Sequence, residues 1–135
     1  MSSGRGKGSR PAGNSASLPE SAPIEAAGYP CLSLRHLQNG YGVEELSPSQ
    51  KAEFLLKWAK RSMFTWKDLT SHGKHGLGSE QLPSHKIKRK PPEELAQDKY
   101  MVLRHEGNYP FVGYKIRDTF YVLWIEANYG DVYDH

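Results

Sequence analysis

The last third of the chain holds most of the groups that could do acid–base work. Arg104, His105 and Glu106 stand together, Lys115, Arg117 and Asp118 follow, and Tyr129, Asp131, Tyr133, Asp134 and His135 close the sequence. Cleaving RNA without a metal needs groups of these kinds. A base takes the 2′-hydroxyl proton, an acid protonates the leaving 5′-oxygen, and cations steady the phosphate. Side chains two apart on a strand share a face, so Lys115 and Arg117 would point the same way, as would Tyr133 and His135 in an extended tail. The plainer account of the same residues is strand-end charges in water.

A second set lies in the middle. Residues 57–90 hold nine basic side chains (Lys57, Lys60, Arg61, Lys67, Lys74, Lys86, Lys88, Arg89 and Lys90) against Asp68 and Glu80, a net of +7. Residues 30–56 carry −1 and residues 91–135 carry −4, so the overall +3 hides a basic middle and an acidic end. Such a field attracts phosphate and could equally dock an acidic partner. The run His85-Lys86-Ile87-Lys88-Arg89-Lys90 has the composition of a nucleic-acid contact, or of a solvated loop. Trp58, Phe64, Trp66 and Tyr100 lie near it in sequence, available for stacking bases or for the core.

Other chemistries find less support. Gly73–Gly78 is glycine-rich but lacks the spacing of a nucleotide-phosphate loop; it reads as a loop that could touch a nucleic-acid backbone through its amides, Lys74 and His75. His72 and His75 sit three apart with no CxxC or HExxH nearby, so neither a metal nor a small-molecule cofactor is expected. The one cysteine, Cys31, has no neighbour in sequence that would activate it and reads as a structural thiol.

These groups need a scaffold. The chain has 135 residues, enough for one domain. No apolar stretch approaches the ~20 residues of a membrane span, and the N-terminus has no apolar signal region, so a cytoplasmic protein is expected. Residues 1–29 are Gly, Ser, Pro and Ala with almost no large apolar side chain; a disordered tail is expected, carrying Arg5, Lys7 and Arg10. Residues 30–135 form the expected single domain. Residues 31–37 alternate like a strand. Ser47-Pro48-Ser49-Gln50 is a helix start with a capping box, and Ala52, Leu55, Leu56, Ala59 and Met63 fall on one face of a helix over 48–63. Thr65 and Asp68 predict a short helix over 65–71. Residues 72–92 read as loop. Strands are predicted at 100–105, 111–117 and 119–126, the last two joined by a tight turn at Arg117-Asp118. The order β-α-α-β-β-β gives an α+β fold with helices on one face of a small, mainly antiparallel sheet.

That order, with a C-terminal Tyr/His tail and the closing segment VGYKIRDTFYVLWIEANYGDVYDH, resembles the RelE/ParE/HigB-like superfamily of bacterial toxins. The resemblance is one of topology and spans about residues 31–135. It implies a metal-independent endoribonuclease or translation inhibitor of a toxin–antitoxin system, acting on RNA or the ribosome and covered by an antitoxin protein. His135 and Tyr133 would then be acid/base or stacking groups, and Arg104, Lys115 and Arg117 phosphate contacts on the sheet. Lys57, Lys60, Arg61, Lys86, Lys88 and Arg89 would grip ribosomal RNA. The sequence departs from the family in its long basic loop over 72–92, in ending Tyr133-Asp134-His135 where some members end His-Tyr, and in its acidic last third. Two other classes fit the same residues. One is a non-catalytic nucleic-acid or protein-binding module using the basic 57–90 region; the other is an interaction protein that pairs a sheet edge with a partner strand.

Overall fold

The computed structural model describes residues 28–73 and 76–135. Residues 1–27, which hold nearly all of the expected tail, lie outside them, as do Lys74 and His75. Gly28 already belongs to the fold. Its N–H donates to Asp118 Oδ2 at 2.9 Å, and its carbonyl accepts from Trp66 N at 2.7 Å.

Five strands make one sheet: β1 (Cys31–Ser33), β2 (Glu80–Pro83), β3 (Lys99–Arg104), β4 (Pro110–Ile116) and β5 (Thr119–Ile125). Their order is β1-β5-β4-β3-β2, with β1 parallel to β5 and every other pair antiparallel. The α+β class and the mainly antiparallel sheet are as expected. Ile116 pairs with Thr119, so Arg117-Asp118 is the tight turn foreseen, with Arg117 at φ 55°. The ladder slips at Val112/Gly113, where a Cβ on Gly113 would run into the Tyr121 carbonyl.

Two expectations fail here. The first strand stops at Ser33, because only Cys31–Ser33 has a partner on β5 before the chain turns. The region expected to be all loop contributes β2, whose Glu80–Pro83 pairs with Val102–Lys99. An edge strand needs few β-formers when its neighbour offers an unpaired row of backbone donors and acceptors, and Pro83 is tolerated at its end.

Helix α1 (Pro48–Arg61) begins as predicted. Ser47 Oγ accepts from Gln50 N, the Gln50 side chain accepts from Ser47 N, and Pro48 takes the first turn. The four-residue α2 (Trp66–Leu69) has the equivalent box between Thr65 and Asp68. Both lie over one sheet face, where Phe54 and Trp58 pack against Leu103, Phe111, Phe120 and Ile125. The apolar stripe of α1 that the sequence nominated for the core is on the other side. Leu55, Leu56 and Met63 are 69%, 55% and 78% exposed, and the buried face is Gln50, Phe54, Trp58 and Arg61. Two aromatic rings bury more area than the smaller side chains opposite, and they set the helix's rotation.

The second sheet face is covered too. Val132 and Tyr133 from the C-terminal tail, with Ile87 and Leu95, lie over Tyr100, Val102, Val112 and Trp124. Among the described residues no helix is long and apolar enough to cross a membrane.

Candidate functional site

The site begins with Glu126, one residue beyond β5. Its side chain is fully buried, behind the apolar run Leu123-Trp124-Ile125. A carboxylate in such a place must find donors. The turn Asn128–Asp131, with Gly130 at φ 92°, folds the chain back and supplies them. Gly130 N donates to Oε1 at 2.9 Å and Val132 N to Oε2 at 2.7 Å. His135 Nε2 meets Oε1 at 2.9 Å. The His135 ring lies between two phenols, its centroid 3.9 Å from that of Tyr129 and 4.2 Å from that of Tyr133. An imidazole so held by a carboxylate keeps one nitrogen on its orienting partner and has the other for a proton transfer, the arrangement used in general acid–base catalysis.

Tyr133 bonds inward. Its Oη accepts from Arg104 Nη2 at 3.3 Å, and burial pushes its phenol up to about 12, with Arg104 opposing. It stays protonated at neutral pH and cannot serve as a base. Arg104 is buried and ion-paired to Glu80 of β2.

The basic run is fixed beside this tail. Ile87 bridges Tyr133, Lys88 N donates to Val132 O at 2.7 Å, and Lys88 Nζ bonds Gly130 O at 2.9 Å and Asp134 Oδ1 at 2.8 Å. The Lys88 ammonium holds the Asp134 carboxyl below its ordinary range. His85, Lys86, Ile87, Lys88 and Asp134 line an open cleft of about 410 Å³; His135 follows Asp134 in sequence but is not among the lining residues. Lys86 and Lys90 are exposed, while the Arg89 guanidinium lies 5.3 Å over the Tyr41 ring.

The remaining expected residues do not join. Lys115 belongs to the helix-covered side, 5.3 Å over Trp66, and bonds the Arg117 carbonyl at the exposed hairpin turn. Arg104 pairs with Pro110 at the start of β4 and Lys115 sits five residues along it, roughly 17 Å away at strand rise. The five-residue set nominated for catalysis therefore separates, with His135, Tyr133 and Arg104 at one end of the sheet and Lys115 and Arg117 at the other. Arg61 is not a surface cation. It is fully buried and donates to the carbonyls of Leu77, Gly76 and Arg104. Desolvation, then the Arg104 charge, lowers it to about 10. Lys57 reaches the His105 carbonyl at 3.1 Å, Lys60 is exposed, and Lys74 lies outside the described residues.

The sequence reading missed Glu126 and the interior position of His105. A signal for the first was present: an acidic residue directly after a continuous apolar strand and before a turn rich in free amides. Among the described residues no three His, Cys, Asp or Glu side chains gather as a metal site. Comparison with protein families, characterised proteins and solved structures finds no match to this chain.

Proposed function

We propose that this protein binds single-stranded RNA along residues 85–90 and cleaves it without a metal, in the manner of the toxin-like class that its topology resembles. One observation carries the reading. The Ile87–Tyr133 bridge and the Lys88–Asp134 pair tie the basic run to the C-terminal tail, which also carries an imidazole held by a buried carboxylate. Lys86, Lys88 and Lys90 would hold phosphates. His135, oriented by Glu126, would take the 2′-hydroxyl proton, and the displaced 5′-oxygen would leave a 2′,3′-cyclic phosphate. His85 on the cleft wall is a second imidazole that, entering the step protonated, would give its proton to the 5′-oxygen as the P–O5′ bond breaks. In this setting the partners are RNA or the ribosome, with an antitoxin protein as the covering partner.

A second reading is favoured by the inward-facing Arg104 and Tyr133 and by the His135 side chain itself, which is only 11% exposed, so that end of the expected catalytic set offers little to a bound strand. On it the same cleft binds RNA and cuts nothing. One assay separates the two: end-labelled RNA incubated with the purified chain in EDTA. Cleavage with cyclic-phosphate ends that drops by about 100-fold or more in His135→Ala, with binding retained, supports the first. Intact RNA with binding retained establishes the second.

A further inference from the structure

Helix α1 has two apolar faces, and the described fold covers only one. Phe54, Trp58 and Arg61 face the sheet. On the opposite side Ala52, Leu56 and Ala59 form an exposed stripe, continued by Met63 in the turn just after the helix, with Leu55 beside it. Their spacing of four, three and four residues is that of a coiled-coil seam, whereas a helix packed only inward carries polar groups on its outer face.

We propose that this stripe pairs with the same stripe of a second copy of the chain, the two helices running antiparallel about a twofold axis. Steric fit is the first argument. An antiparallel twofold sets Ala52 against Met63 of the second copy and Leu56 against Ala59, so every large side chain meets a small one and the helices can approach closely. Charge is the second. Glu53 and Lys60 both lie on one flank of the stripe, and an antiparallel twofold brings like flanks together. Glu53 of each copy then faces Lys60 of the other, giving two ion pairs from one contact. A parallel arrangement would turn that flank toward Lys51, Leu55 and Ser62, which offer Lys60 no carboxylate. The contact is small. A 14-residue helix is about 21 Å long, so the interface falls well under the ~800 Å² per partner of a standard complex, and the dimer is a weak one.

Sedimentation equilibrium of the full chain, from about 5 μM to about 1 mM, tests this over the range where a weak dimer forms. A monomer–dimer equilibrium is expected. Leu56→Glu, at an exposed position that leaves the circular dichroism unchanged, abolishes it. Glu53→Lys and Lys60→Glu each weaken it by about tenfold, and the two together restore it. A wild-type chain that stays monomeric throughout overturns the proposal, as does a dimer that survives Leu56→Glu. Failure of the double charge exchange to restore pairing overturns the antiparallel arrangement. None of these readouts depends on RNA cleavage.

Discussion

His105 sits fully buried at the end of β3, against the rings of Phe54 and Phe111, with Nε2 donating to the Glu126 carbonyl at 2.9 Å. A ring nitrogen facing a carbonyl oxygen carries the hydrogen, so the neutral imidazole satisfies this bond. Burial lowers the His105 pKa below its ordinary 6.5, outweighing the hydrogen bond to Glu126 and the Glu106 charge that favour the cation. In the unfolded chain the ring titrates near 6.5, so on acidification the unfolded state takes up the proton first. Stability is therefore present above pH 6.5 and is lost as pH falls below it, by up to about 1.4 kcal/mol per pH unit from this group. His105→Gln retains a side-chain N–H donor and removes the titration. Urea unfolding of both proteins at pH 7.0, 6.0 and 5.0 is expected to show a shallower acid decline in the variant. Parallel declines would mean that His105 does not carry the effect. The same residue shows a limit of sequence reading. Beside Arg104 and Glu106 it looked like one more charged strand end, and only its pairing partner and the turn after β5 place it in the interior.

Helix α1 shows what the sequence made legible and what it did not. Its start was readable because Ser47, Pro48 and Gln50 act on one another locally. Its rotation was not, because two apolar faces compete and the choice depends on what the sheet offers. Counting apolar positions favours Ala52, Leu55, Leu56, Ala59 and Met63; ring volume favours Phe54 and Trp58, which pack edge-on against Phe111 and stacked on Phe120 respectively. Strand β2 escaped notice for a related reason, since Glu80-Gln-Leu-Pro83 is a strand only because β3 is there to pair with it. The rotation makes a sharp prediction. Phe54→Ala should cost about 3–5 kcal/mol, since a large buried ring leaves a cavity. Leu56→Ala should cost under about 0.5 kcal/mol in the dilute monomer, as an exposed substitution does. Comparable losses in urea titrations of the two variants would mean that the stripe, not the aromatic pair, faces the sheet.

Across the whole molecule the fold cancels part of the charge asymmetry that the linear sequence displays. The acidic last third returns to the basic middle, so Lys88 meets Asp134, while Arg61 is withdrawn to the interior; the Arg104–Glu80 pair runs the other way, a cation of the acidic third with an anion of the basic middle. Charge summed along a segment overstates the field because it is blind to these pairings. What faces solvent near His135 is narrower: Lys86, Lys90 and the half-exposed Lys88. Binding to single-stranded RNA through three cations should release few counterions, so log K should fall against log salt with a slope near −2, from about −0.7 per phosphate contact. Replacing Lys86 and Lys90 together by Ala should flatten the slope to about −0.7 and weaken binding at low salt. Arg61→Met should leave the slope as it is, because a buried guanidinium that donates to three carbonyls meets no phosphate. Fluorescence anisotropy with a labelled oligonucleotide over about 20–300 mM salt reads all three proteins. A slope that the double variant leaves unchanged would move the RNA contact away from residues 85–90, and with it the reason for placing the chemistry at His135.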